Sequence, residues 1–110
     1  MELTFKFKNK IGIAKISGRL TAANINTLRT QFSKNIKTCE NYVFDLQEMD
    51  FIDSTGLGVL VECLKHSVEQ NGTIKIANLQ KKPKMLFEIT RVCKLFDIFD
   101  SLDGALQSFS

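Results

Sequence analysis

Met49-Asp50-Phe51-Ile52-Asp53-Ser54-Thr55-Gly56-Leu57-Gly58 joins two different patterns. Before it lies a short apolar run, Tyr42-Val43-Phe44-Asp45-Leu46, of the length and character of a central strand covered on both faces. After it, Leu57, Leu60, Val61, Leu64 and Val68 recur on one side of a helical wheel, while Glu62, Lys65, His66 and Glu69 fall on the other. The decapeptide therefore predicts a strand-to-helix turn, with Asp53 or Ser54 as the helix N-cap. On the same wheel Val59 lies opposite the apolar stripe and Cys63 on its flank. An outward Val59 is the expectation.

Two glycines in a first helical turn need a reason. Glycine inside a helix costs about 1 kcal/mol relative to alanine, so Gly56 and Gly58 weaken this helix start. In exchange they leave bare backbone, with unpaired N–H groups and the positive end of the helix dipole close to a hydroxyl. A partner or a phosphate could approach there. The plainer reading is a capped helix packed tightly on a sheet.

Working outward, the chain shows no linker and no repeat. Leu3, Phe5 and Phe7 alternate with Thr4, Lys6 and Lys8, which predicts a strand with one wet face towards a sheet edge. Asn9-Lys10 is a short connection to a hairpin partner over Ile11–Ser17. Gly18-Arg19-Leu20-Thr21-Ala22 leads into a helix with Ile25, Leu28, Phe32 and Ile36 at steps of three and four. The helix over 54–70 meets a stop signal at Asn71-Gly72. Thr73–Ala77 is a further strand, and Pro83 suits the first turn of a helix carrying Met85, Leu86 and Ile89. Leu95–Phe99 is a last strand, and Ser101 caps a terminal helix with Leu102, Ala105 and Leu106. Five strands alternating with four helices predict an α/β fold with a mixed sheet.

Composition narrows the function. The chain has 110 residues, 44% hydrophobic and 25% charged, consistent with one globular domain. A net charge of +3, with lysines scattered apart from Lys81, Lys82 and Lys84, does not suggest nucleic acid, and that trio reads as a solvated helix face. No apolar run approaches a membrane span and no signal-peptide pattern opens the chain, so a cytoplasmic place is expected, with no membrane partner. Cys39, Cys63 and Cys93 lack metal-ligand spacing and read as reduced thiols.

Catalysis finds little support. A nucleophilic Ser54 needs a base, and the one histidine, His66, stands twelve residues on in the same helix, a rise of about 18 Å. Asp45, Asp50 and Asp53 read as turn and cap chemistry rather than a metal site. Thr55-Gly56-Leu57-Gly58 is neither a dinucleotide fingerprint nor a P-loop. No enzyme activity, cofactor or metal is expected.

Phe51-Ile52-Asp53-Ser54-Thr55-Gly56-Leu57-Gly58 resembles the phosphorylation-site signature of bacterial anti-sigma factor antagonists, small free-standing STAS domains. Leu79–Arg91 resembles the family's third-helix segment, and Leu95–Leu106 its closing strand and last helix. The resemblance covers the chain, implying one STAS-type domain over residues 1–110 with a mixed, mostly parallel sheet. It implies a binding module whose partner is an anti-sigma factor with ATP-dependent serine kinase activity. That kinase would phosphorylate Ser54 and so release the antagonist, and a protein phosphatase would reset it. Thr55 is the second-ranked acceptor. Asp53, Ser54, Thr55, Gly56, Leu57, Gly58 and Val59, with Arg19 and Thr21, form the expected partner surface of a monomer.

One departure stands out. Many family members carry an aspartate in a Gly-x-Leu-Asp pattern after the second strand, where this chain has Gly18-Arg19-Leu20-Thr21. Thr21 is expected to cap the helix beginning near Ala22, and Arg19 to offer a charge-assisted contact to a phosphate. The competing reading is a non-switching STAS docking subunit of a stress-signalling scaffold or a lipid-transporter complex.

Overall fold

Alternating strands and helices resolve, in a computed structural model describing residues 1–109, into one layered sheet. Ser110, the last residue of the expected domain span, lies outside the described residues. The elements are β1 (Glu2–Lys8), β2 (Ile11–Leu20), α1 (Ile25–Asn35), β3 (Asn41–Asp45), β4 (Met49–Ile52), α2 (Ser54–Glu69), β5 (Ile74–Ala77), α3 (Lys81–Ile89), a 3-10 turn (Val92–Lys94), β6 (Asp97–Phe99) and α4 (Leu102–Gln107).

The sheet runs β1-β2-β3-β5-β6, with β4 paired to β2 off that path. Among the described residues only β1 and β2 pair antiparallel. The pairs β2–β3, β2–β4, β3–β5 and β5–β6 are parallel, as crossover helices require. The hairpin closes at Lys8↔Ile11 with Asn9 and Lys10 both at positive φ, 52° and 69°, the twist a two-residue loop needs. β1 is an edge strand, as its alternation predicts.

β2 is the strand on which the site depends. Ile11–Lys15 pair with β3, and beyond a register shift at Gly18/Arg19, Arg19 and Leu20 pair with Phe51 and Ile52 of β4. One strand thus hands its partner over from the central sheet to the segment that carries the motif. β4 is a correction to the five-strand expectation. Its four residues show two exposed side chains, Asp50 and Phe51, between buried Met49 and Ile52, too short a pattern to separate from the turn that follows. The last strand is also shorter than Leu95–Phe99, because the 3-10 turn at Val92–Lys94 runs up to Leu95.

The core sits on both faces of the sheet. Tyr42 and Phe44 point into the larger cluster, with Leu28 and Phe32 from α1, Leu57, Val59, Leu60 and Cys63 from α2, and Phe87 from α3. Val43 points the other way, with Ile11 and Ala77, under Ala105 of α4. Alternate residues of one strand serving opposite layers is the period-two geometry that the near-continuous apolar run predicts. Each such large side chain, taken fully out of water, contributes about 1.5–3 kcal/mol.

Candidate functional site

The site begins with a cap. The Asp53 backbone is extended (φ −100°, ψ 178°), and its Oδ1 accepts a hydrogen bond from the Gly56 amide at 2.7 Å. Of the two capping candidates, the aspartate does the work. Its second oxygen, Oδ2, accepts from the Ala22 amide at 3.2 Å, and the Asp53 amide donates to the Leu20 carbonyl at 3.2 Å. One residue therefore closes the helix start and ties it to the end of β2.

Ser54 is freed by that arrangement. It is the first residue of α2, exposed, and its hydroxyl makes no hydrogen bond among the described residues. Thr55 is exposed beside it. Together they present two uncommitted hydroxyls at the positive end of a sixteen-residue helix.

The two glycines have different reasons. A Cβ on Gly56 would stand 2.4 Å from the Leu20 carbonyl oxygen, a backbone atom that cannot swing aside, so Gly56 lets α2 seat against β2. Around Gly58 a Cβ would meet nothing within 4 Å. Gly58 is exposed, and here the bare-backbone reading fits.

The helix face is a correction. Val59, expected outward, is 1% exposed, and Cys63, expected on the flank, is buried. Val68, assigned to the apolar stripe, is 57% exposed. The buried stripe runs through Gly56, Val59, Leu60, Cys63 and Ser67, with Leu57 at its edge. It is turned from the predicted stripe by roughly 100° on a 3.6-residue wheel. A glycine and a serine at the centre of the buried face carry no hydropathy signal, which is why the wheel was misjudged. Val59 thus leaves the partner surface and joins the core. Leu57 is buried too, so within Asp53–Val59 the accessible side chains are those of Ser54 and Thr55, with Asp53 half-buried and Gly58 open.

The end of β2 and the loop to α1 hold the other two expected residues. Thr21 does not cap α1, whose N-cap is Asn24 and which begins at Ile25. Its Oγ1 accepts from the Ala23 amide at 3.2 Å, and its own amide donates to Asn24 Oδ1 at 2.9 Å, forming a tight turn one step before the helix. Arg19 is exposed, with its guanidinium 4.2 Å from the centre of the Phe51 ring. Stacking on a neighbouring strand's aromatic holds the cation on the motif side of the sheet.

Sequence reasoning passed over a groove. Between β4 and α3 lies an open hollow of about 430 Å³, bordered by Phe51, Ile52, Ser54, Lys82, Met85 and Ile89. Met85 and Ile89 are 62% and 76% exposed. Their presence on an otherwise polar helix surface was the available signal. Among the described residues no group of three metal-ligating side chains is assembled, and no helix is long and apolar enough to cross a membrane.

This architecture defines a STAS domain, and the model of the STAS domain family matches residues 2–105. The chain belongs to that family. The anti-sigma-B factor antagonist of Bacillus subtilis is 37% identical over 62 residues, a match spanning 56% of this chain and 57% of that one. The anti-sigma F factor antagonist of Paenibacillus polymyxa is 24% identical over 108 residues, covering 96% of this chain and 92% of that one. In three dimensions the chain is similar to the Bacillus cell fate determinant SpoIIAA in its phosphorylated form, with a TM-score of 0.79 at 12% identity, over 99% of this chain and 100% of that one. At that identity the likeness speaks to the fold.

Proposed function

We propose that this protein is an anti-sigma factor antagonist switched by phosphorylation of Ser54. The observation that carries the reading is the division of labour at the turn. Asp53 takes the capping role, and Ser54 is left exposed with an unengaged hydroxyl at a helix N-terminus. A serine serving only as structure would be expected to hold the cap itself. The names of the relatives, anti-sigma-B and anti-sigma F factor antagonists, support the same reading.

In this reading the unphosphorylated protein binds an anti-sigma factor that is also an ATP-dependent serine kinase, and so releases a sigma factor. Transfer of a phosphoryl group to Ser54 adds a charge of about −1.5 to −2. Within the free domain the helix start tolerates that charge. Across an interface it is desolvated beside Asp50 and Asp53 and against any acidic group of the partner. A hundredfold loss of affinity needs about 2.7–2.8 kcal/mol, within reach of one misplaced dianion. A phosphatase removes the group and restores binding. The protein is a cytoplasmic monomer in this cycle and catalyses none of its steps.

The test is intact-mass analysis and peptide mapping of protein purified from its own cells, with and without phosphatase treatment. The expected result is one phosphatase-sensitive phosphoryl group on Ser54, with partner capture by Ser54→Ala and none by Ser54→Asp. No phosphate under any growth condition, with partners indifferent to Ser54→Asp, would sink the switch and leave a docking subunit.

A further inference from the structure

The groove between β4 and α3 has a composition that the Ser54 chemistry does not require. Its walls are Phe51 and Ile52 on one side and Met85, Leu86 and Ile89 on the other, and its polar lining is Asp53 and Ser54 on the β4 side and Lys82 on the α3 side. Met85 and Ile89 are among the most exposed apolar side chains of the described residues, and both face this hollow. Apolar side chains gathered at a concave surface with a charged rim mark an interaction site, and methionine adapts to the shape of what it meets.

Charge identifies the occupant. Lys81, Lys82 and Lys84 are all exposed on α3. None pairs with an acid among the described residues, where the ion pairs are Lys15–Glu48 and Arg29–Glu62. A second copy of this chain would bring the same lysines against each other, so self-association through the groove is disfavoured by like charge. The hollow is a concavity of about 430 Å³ between a strand and a helix, and a concave surface is filled by a protruding element rather than by a flat lipid surface.

We infer that this groove seats an amphipathic helix of a partner protein, apolar on the seated face and acidic along the edge that meets Lys82. Leucine-like side chains at i, i+3, i+4 and i+7 of such a helix would lie between Phe51 and Ile89, and glutamate or aspartate would reach the lysine rim. The inference extends the partner-binding reading above by naming the partner's docking element. Because Ser54 borders the same hollow, the seated helix lies against the acceptor.

The probe is a stapled helical peptide with leucines at that spacing and glutamates on both flanks, titrated into isotope-labelled protein and followed by NMR. Shifts confined to the amides of Phe51–Ser54 and Lys82–Ile89 are expected. Ile89→Glu and Lys82→Glu, both surface changes, should each weaken binding by about tenfold or more. Unchanged melting temperatures would show that both variants fold. Shifts elsewhere, no binding, equal binding of the same peptide with lysines on its flanks, or a preference for anionic vesicles would each overturn the inference. The two readings fail separately. Peptide binding with Ser54 never phosphorylated leaves the groove and removes the switch, whereas a phosphorylated Ser54 with a silent groove does the reverse.

Discussion

Asp53 and Ala22, thirty-one residues apart in the chain, are joined by a hydrogen bond from the Ala22 amide to Asp53 Oδ2 at 3.2 Å. With Oδ1 on the Gly56 amide at 2.7 Å, the carboxylate spans the β2–α1 loop and the start of α2. Asp53→Ala removes both contacts and should cost about 1–2 kcal/mol, the range of lost N-caps. Asp53→Asn keeps one oxygen and should retain most of the stability by thermal denaturation. If Asp53→Asn abolishes phosphorylation of Ser54 at an unchanged melting temperature, the carboxylate acts in transfer as well as in capping.

Gly56 and Gly58 should respond to alanine in opposite directions. Gly58→Ala meets nothing within 4 Å, so it gains helix propensity and should stabilise by up to about 1 kcal/mol. Gly56→Ala drives a Cβ against the Leu20 carbonyl at 2.4 Å and should destabilise by about 1–3 kcal/mol, as overpacked sites do. Urea midpoints of the two variants decide the matter. If Gly58→Ala is stable but loses partner capture, close approach is the role of that glycine.

Val59→Ala separates the two readings of α2. A side chain 1% exposed should lose about 1.5–3 kcal/mol on truncation, in proportion to the apolar surface it buries. A surface valine would lose almost nothing. Folded Val59→Ala protein should still bind its partner.

The buried thiol and phenol set an alkaline limit. Burial pushes the Cys63 thiol from 9.0 up to about 12, with the neighbouring Glu62 charge adding to the rise. Tyr42, whose hydroxyl donates to the Asn35 carbonyl at 2.5 Å, is pushed from 10.0 up to about 12, chiefly by burial. Both groups hold their protons more tightly when folded, so their contribution is present in full below the unfolded values and is lost as pH rises towards the folded ones. Denaturant midpoints should therefore fall between about pH 9 and pH 12. A thiol reagent at pH 8 should leave Cys63 unmodified until the protein is unfolded.

Much of this was legible because it rests on strong local signals. The alternation of β1, the apolar run of β3, Pro83 within the first turn of α3 and Ser101 accepting from the Gly104 amide at 3.0 Å all follow from short-range chemistry. The failures share a different cause. The face of α2 was misplaced because Gly56 and Ser67 are buried by the packing of the helix rather than by their own hydropathy, and among the described residues Ser67 Oγ is left without a hydrogen-bond partner. β4 escaped because its pairing with Arg19 and Leu20 is a tertiary fact. Thr21 was assigned a helix cap because its spacing suited one, while Asn24 took the position three residues later. The groove between β4 and α3 arises from two segments thirty residues apart, and no periodicity along either reveals it.

The seating of Gly56 on Leu20 has one more consequence. The turn is held by a backbone contact on one side and by both oxygens of one carboxylate on the other. In the proposed switch the signal at Ser54 would therefore be carried by charge on an unchanged outline, and raising ionic strength would weaken it.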